Sequence, residues 1–353
     1  MHYYPLAVIP GDGIGNEVIE AALVVLRAAA QQFDIGLETV DFPWSCEYYV
    51  RHGEMMPSDG LKQLEPFQAI FLGAIGYPSL VPDHISLHGL LLEIRRGFRQ
   101  FINMRPHRVL AGVQSPLREA DFDILCIREN SEGEYVGAGG RAHSGTPDEI
   151  AIETAIFTRR GCERVMRFAF EQAQQRSGRL AAATKSNAQR HSMVFWDEVF
   201  AQVTASYPEV ETTRYHIDAL CARFITHPES LDVVVASNLF GDILTDVGAA
   251  IQGGLGFAAS ANLDPTRTYP AMFEPVHGSA PDIAGRGSAN PCAAIWAGAM
   301  MLDFLGEKEA GSTVLAALEG VTRERQIRTP DMGGHSTTQE MAAAVANAVR
   351  VAR

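Results

Sequence analysis

The sequence is short of positive charge, of cysteine and of any long apolar run. Its 353 residues carry 29 Lys and Arg against 42 Asp and Glu, a formal net charge of −13. A surface of that sign repels phosphate backbones and anionic membranes, so neither nucleic acid nor a membrane is expected as a partner. It also repels an acidic substrate, and a site for one must supply its own positive charge locally. The five cysteines, at 46, 126, 162, 221 and 292, are an odd and scattered set with no C-x-x-C pair. That argues against a disulfide framework or a zinc site and fits a reducing, cytoplasmic setting. The longest apolar stretch, Ala293 to Leu302, is far short of the roughly 20 residues a membrane span needs. No basic stretch precedes the first apolar run, Leu6 to Ile9, so no targeting segment is expected. Internal repeats and low-complexity tracts are missing as well.

What is present is ordinary globular material, 46% hydrophobic and 20% charged. The length suggests two domains at about 150 residues each. Short apolar runs alternate with helical patterns. Leu6–Pro10, Ala69–Leu72, Asp123–Ile127, Leu180–Thr184, Thr212–His216 and Asp232–Ala236 read as strands. Glu17–Gln32, Leu87–Phe101, Arg160–Gln175, Phe240–Ala250 and Pro291–Leu305 read as helices. This alternation predicts an α/β architecture with a covered sheet. The Gly-rich stretch Tyr135–Gly145 reads as an excursion loop or arm.

Gly11-Asp12-Gly13-Ile14-Gly15 lies between a strand and a helix and invites a dinucleotide reading, with Asp41 as the ribose acid. Its spacing is G-x-G-x-G rather than G-x-G-x-x-G, and a tight strand-to-helix turn explains the glycines as well. Three other constellations carry more chemistry. In Ser237 to Asp246, the carboxylates of Asp242 and Asp246 stand four apart and share a helix face. Two like charges there call for a cation, and all-oxygen ligands suit Mg²⁺ or Mn²⁺; a solvated helix face is the plain alternative. Asp218 is a candidate third ligand. Arg95 and Arg105 flank a predicted helix end, and Arg128 closes the strand Asp123–Ile127, where strand ends open onto clefts. Three guanidinium forks can hold a diacid, although Arg95 alone reads as ordinary surface. The loop Glu274 to Gly285 is long and polar. Tyr135 and Lys185 are an available acid and base that nothing local marks out.

Together these segments resemble the β-decarboxylating dehydrogenases, the family of isopropylmalate, isocitrate and tartrate/D-malate dehydrogenases. The likeness spans nearly the whole chain, from Pro10 to Leu302. It runs to the tartrate/D-malate branch through Asp83 to Leu87, Arg128 to Tyr135, Phe157 to Gly161 and Leu220 to Phe224. The resemblance implies a two-domain, non-Rossmann α/β fold with a central sheet flanked by helices. Residues 1–100 and 250–353 would form the first domain, and 101–249 the second, dimer-forming one, with an arm or loop near 135–150. It implies that Arg95, Arg105 and Arg128 hold the substrate carboxylates. Lys185 would receive the hydroxyl proton, and Tyr135 would protonate the enolate carbon. Asp218, Asp242 and Asp246 would bind Mn²⁺ or Mg²⁺. His277, Gly278, Ser279, Ala280, Pro281 and Asp282, with Asn290, would bind NAD, Asp282 repelling the 2′-phosphate of NADP. Lys185 and Asp218 would reach in from a neighbouring subunit, making the active unit a homodimer. A need for K⁺ stays open.

The implied reaction is the NAD- and metal-dependent oxidation of a small 2-hydroxy dicarboxylic acid followed by loss of its β-carboxylate. Cationic neighbours would depress the pKa of Lys185 and let it act as base. Where the branch reads Leu-Trp-Gly-Ser-Leu-Leu, this chain has Leu87-His88-Gly89-Leu90-Leu91-Leu92. Leu90 in place of a serine disfavours isocitrate and ranks D-malate first, tartrate second and 3-isopropylmalate third. From other classes, a metal-dependent lyase and an inactive binding protein are the rivals.

Overall fold

The computed structural model describes residues 2–352 of the chain. In chain order the elements are β1 (His2–Gly11), α1 (Gly15–Gln32), β2 (Ile35–Asp41), α2 (Cys46–His52), α3 (Gly60–Leu64) and β3 (Ala69–Ala74). Next come α4 (Asp83–Ser86), α5 (Leu92–Gly97), β4 (Ile102–Arg108), β5 (Asp123–Glu129), β6 (Gly133–Ala142) and β7 (Ile150–Ile156). Then follow α6 (Arg159–Gln174), β8 (Arg179–Thr184), α7 (Ser192–Thr204), β9 (Glu211–His216), α8 (Ile217–Thr226) and β10 (Val233–Ala236). The last are α9 (Asn238–Ile251), β11 (Ala259–Leu263), β12 (Ala271–Pro275), α10 (Cys292–Leu305), α11 (Lys308–Glu324) and α12 (Thr338–Val351). The helix expected over Leu87–Phe101 is shorter and irregular. A π-helical turn, Leu87–Leu91, precedes α5, which ends at Gly97.

The chain forms two compact units. The first takes the residues up to Gln100, Val109–Arg118 and the chain from Ala249 onward. The second takes Phe101–Arg108 and Glu119–Gly248. In the first unit the strand order is β2-β1-β3-β12-β11. β1 is parallel to β2 and β3, β12 is parallel to β3, and β11 runs antiparallel to β12. Parallel strands covered on both faces are written as unbroken apolar runs, and Leu6 to Ile9 and all of β3 are buried accordingly. α1 packs against α10, α11 and α12. α10 is apolar all round and buried at every residue from Cys292 to Ala299, as a helix enclosed by its neighbours must be.

In the second unit the order is β4-β5-β10-β8-β9, antiparallel at β4–β5 and parallel elsewhere. α6 lies on β5, β8 and β10. Thr158 caps α6, its side chain accepting from the Gly161 amide at 2.9 Å. Through the Gly-rich stretch β6 and β7 pair as an antiparallel ribbon, and every residue of β7 is exposed. Ile150, Ile152 and Ile156 stand open to solvent on it.

Candidate active site

The second unit gathers its charge where β5 ends and α9 begins. Antiparallel pairing sets Asn103 opposite Arg128 and Arg105 opposite Cys126. Arg105 is therefore two residues along from Arg128's partner, and both guanidinium groups leave the same face of the sheet. Both arginines are buried, Arg128 to 2% exposure. Arg105 thus sits in the middle of a strand rather than at a helix end. β10 delivers the chain to α9, whose first residue, Asn238, accepts from Arg128 Nε at 3.0 Å and Nη2 at 2.7 Å. Arg128 Nη1 donates to Asp242 Oδ1 one turn further on. Tyr135 Oη donates to Asp242 Oδ2 at 2.5 Å, and its ring lies 5.3 Å from the Arg128 guanidinium carbon. Arg105 donates to Thr245 Oγ1 at 2.7 Å and comes within 3.6 Å of Asp242. A Cβ on Gly241 would lie 2.7 Å from Cβ and Cγ of Arg128, so this helical position admits the arginine only because it is glycine.

Sequence reasoning gave Asn238 no role, although it is the hub of this cluster. Its Nδ2 donates to the Glu132 carbonyl at 2.9 Å and so ties Arg128 to the start of β6, which carries Tyr135. Glu129 is a second omission. Its buried carboxylate accepts from the amides of Ser131 and Glu132 and from Ser131 Oγ, fixing the turn after β5. Burial pushes its carboxyl above the ordinary value, against those hydrogen bonds. A strand-ending Arg-Glu-Asn followed by Ser-Glu-Gly was the available signal.

Of the three aspartates proposed as metal ligands, one chain brings two together. Asp242 and Asp246 sit one turn apart on α9. Asp246 makes no hydrogen bond or ion pair, and burial, with the charge of Asp242 adding to it, holds its carboxyl above the ordinary range despite Arg105. An underpaired carboxylate beside a second one is the donor set a hard divalent cation would relieve, so these residues fit such an ion. Asp218, on α8, is exposed and accepts from Lys185 Nζ at 2.9 Å. That bond holds the Asp218 carboxyl below its ordinary value. Within one chain, Lys185 therefore has a carboxylate for its neighbour. Among the described residues no three His, Cys, Asp or Glu side chains converge as a metal site.

In the first unit, Arg95 is not a surface residue. It is buried to 5% exposure and donates to Glu274 Oε1 at 2.9 Å, an oxygen that also accepts from Asn262 at 2.7 Å. The loop after β12 lies against the β1–α1 turn: the Ile14 amide donates to the Ser279 carbonyl at 2.8 Å, and a Cβ on Gly13 would overlap that same oxygen at 2.0 Å. In the loop, Ala280 takes the left-handed conformation at φ 39°, which is uncommon off glycine. His277 Nδ1 donates to the Gly278 carbonyl at 3.0 Å. Burial pushes its imidazole below the ordinary value, so the ring stays neutral and its buried Nε2 is left as a bare acceptor with no partner. That orphaned atom fits a ligand carrying an N–H, such as an adenine. Asn290 donates to Asp331 at 2.9 Å, and Asp282 is exposed.

The comparisons with known proteins agree along the whole chain. The isocitrate/isopropylmalate dehydrogenase model matches residues 5–345. A probable tartrate dehydrogenase/decarboxylase of Bacillus subtilis (strain 168) is 55% identical over 352 residues, 99% of each chain. The decarboxylating D-malate dehydrogenase of Escherichia coli (strain K12) is 52% identical over 350 residues, 96% of this chain and 97% of that one. The crystal structure of isocitrate dehydrogenase from Methylococcus capsulatus superimposes with a TM-score of 0.89 at 32% identity, covering 98% of this chain and 99% of that one. The chain belongs to the isocitrate/isopropylmalate dehydrogenase family. It is an oxidoreductase, a decarboxylating dehydrogenase with the mixed α/β fold of that family.

Two features of this dehydrogenase read differently from its sequence. The turn Gly11–Gly15 spends its amides inside the protein: Asp12 N on Ala74 O, Ile14 N on Ser279 O and Gly15 N on Asp12 O. Asp12 is buried and its carboxylate accepts from the amides of Cys46 at 2.8 Å and Gly76 at 2.9 Å. Three of the turn's amides are thus committed inside the protein, which together with the G-x-G-x-G spacing speaks against a dinucleotide fingerprint here. A cleft of about 770 Å³ opens beside this turn, lined also by Asp41, Glu47 and Arg51. Leu90, in turn, has no exposed surface. It is fully buried in the apolar cluster with Val81, Ile94 and Met55. His88 is the exposed residue of that π turn. A substrate ranking that rests on Leu90 touching the substrate therefore has no basis.

Proposed function

We propose that this dehydrogenase oxidises and decarboxylates D-malate, tartrate or both, using NAD and Mn²⁺ or Mg²⁺. The observation that carries the reading is the cluster at the head of α9. Two buried guanidinium forks on one sheet face, Arg105 and Arg128, share a carboxylate with the phenol of Tyr135, beside the unpartnered Asp246. A chain of net charge −13 concentrates positive charge in this way where an anion is to be held. Names carried by the relatives, at 55% and 52% identity, narrow the anion to tartrate or D-malate.

In this reading Arg105 and Arg128, with Arg95, pair with the two carboxylates. Lys185 takes the C2 hydroxyl proton. Bound at Asp242, Asp246 and Asp218, a divalent cation would lower the hydroxyl's pKa, and bound at His277–Asp282 and Asn290 a nicotinamide dinucleotide would accept the hydride. Loss of CO₂ leaves a carbanionic carbon, and Tyr135 returns a proton to it. Asp282, exposed in its loop, accepts from the ribose and repels a 2′-phosphate. Lys185 and Asp218 complete the site of a neighbouring subunit, which gives their pairing away from Asp242 and Asp246 a function. The open apolar residues Ile150, Ile152 and Ile156 of the ribbon, Ile225 of α8 and Ile243 of α9 support a homodimer that covers them.

Initial-rate NADH production with Mn²⁺ on D-malate, L-malate, the tartrates, isocitrate and 3-isopropylmalate, repeated with NADP, tests this. A kcat/KM preference for D-malate or tartrate with NAD is expected. A preference for 3-isopropylmalate or isocitrate overturns the substrate, and a preference for NADP overturns the role of Asp282.

A further inference from the structure

A second concave site lies in the first unit, where Gly112, Gly253, Phe257, Arg325, Arg328 and Asp331 enclose about 310 Å³. That is at the small end of ligand sites, which run from about 300 to 1,000 Å³. Two of the residues that line it are arginines. Arg325 ends α11 in the left-handed conformation at φ 57° and donates through Nε to the Gly112 carbonyl at 2.9 Å, which leaves its terminal amino groups uncommitted. The Arg328 side chain has no hydrogen bond and no ion pair, yet its backbone is firmly placed. Its N–H donates to Ser336 Oγ at 3.2 Å, and its carbonyl accepts from the Ser336 amide at 2.8 Å. A Cβ on Gly334 would overlap that carbonyl at 2.1 Å. The one acid at the site is already engaged, because Asp331 accepts from Asn290 at 2.9 Å and from Thr329 Oγ1 at 2.5 Å. Arg325 and Arg328 thus set two positive charges against the single negative charge of Asp331 around this cavity, and in a chain with 13 excess negative charges that local surplus calls for an anion.

We propose that this cavity binds a small oxyanion, a phosphate or a polycarboxylate, between Arg325 and Arg328, and that occupancy is felt at the cofactor loop. The link is structural. The segment that carries Arg328 is bonded to that loop by Asp331 to Asn290, by the Thr338 amide to the Gly287 carbonyl at 2.9 Å and by Thr338 Oγ1 to the Ala289 carbonyl at 2.6 Å. An anion that draws Arg328 inward moves or stiffens the strap on which Asn290 depends. Binding of the anion stands alone; the coupling to NAD rests on the assignment of the loop as the cofactor site.

The test titrates the full-length protein with inorganic phosphate and, separately, with tricarballylate, replacing chloride at constant ionic strength, and follows the unfolding temperature. A saturable rise of about 2 °C at ten times Kd is expected for at least one anion. Arg328→Gln and Arg325→Gln should each abolish it, and Arg328→Lys should keep part of it. Two variants guard against one that fails to fold. No saturable rise with either anion, or an undiminished rise in both glutamine variants, overturns the site. With the anion bound, NAD affinity measured by intrinsic fluorescence should change at least about twofold. Anion binding with unchanged NAD affinity overturns the coupling and leaves the site standing.

Discussion

Replacing Gly241 by alanine sets two effects of similar size against each other. On backbone grounds the change is favourable, because glycine inside a helix costs about 1 kcal/mol relative to alanine. On packing grounds it is not. The new Cβ would stand 2.7 Å from both Cβ and Cγ of Arg128, the near end of a side chain anchored on β5, so the arginine cannot simply swing its tip aside. Overpacking of this kind costs about 1–3 kcal/mol, which leaves a net loss between roughly zero and 2 kcal/mol. The guanidinium must then shift off Asn238 and Asp242. Misplacing a substrate-holding group by about 1 Å costs up to roughly 100-fold in rate. The expectation is a kcat/KM for the dicarboxylate lowered about 10- to 100-fold, with a small change in unfolding temperature and unaltered NAD binding. Gly320→Ala is the control. It lies in the interior of α11 with no atom within 4 Å of its would-be Cβ. It should gain about 0.5–1 kcal/mol and leave turnover alone. Steady-state kinetics and thermal unfolding of the two variants decide the matter. Gly241→Ala with kcat/KM within twofold of the parent would refute the placement of Arg128 in the substrate site.

Lys185→Ala should lower turnover by about 10²- to 10⁴-fold, the usual worth of a general base, while the NAD-induced rise in unfolding temperature persists; parent-like turnover would remove Lys185 from that role. Asp246→Asn should weaken Mn²⁺ activation at least about tenfold, and an unchanged metal titration would show that the carboxylate is not a ligand. Asp232, at the start of β10, carries an acid-side prediction. Burial opposes its charge, but bonds from Ser177 and from Arg176 at 2.6 Å hold its carboxyl below the ordinary value. A depressed native pKa means stability that is present above the unfolded value, near 3.8, and lost as pH falls through the native one. Asp232→Asn should thus cost about 1–3 kcal/mol at neutral pH. Denaturant midpoints of parent and variant should converge once the pH has fallen below the native value of that carboxyl; a gap that persists on full protonation would mean packing, not charge, is responsible.

The parts of this fold that were legible in the sequence share one physical cause. Strands covered on both faces, such as β1, β3 and β10, are continuous apolar runs, and helices with one wet face show their period. β4 was not found as a strand because its buried face is Asn103, Arg105 and His107, while Met104 and Pro106 are less covered. Its polarity is inverted relative to the pattern a strand is recognised by, and the inversion exists because that face carries Arg105 into the charged cluster. The β6–β7 ribbon read only as a loop or arm for the complementary reason: its isoleucines are exposed in one chain, so nothing in the chain itself explains why they are apolar. Leu90 misled in the opposite direction. A position assigned to the ligand by likeness turned out to be core, because the π turn before α5 rotates that side chain inward. The site residues found from local spacing, Asp242 and Asp246, are the ones that a single helix brings together. Those it could not mark, Tyr135 and Lys185, lie on other elements, and their partners, Asp242 and Asp218, are 107 and 33 residues away. Where a stretch of this chain violates the pattern for its own secondary structure, with polar groups buried or apolar groups bare, the reason lies in what that stretch must hold, which is why the hardest segments to read are the ones nearest the chemistry.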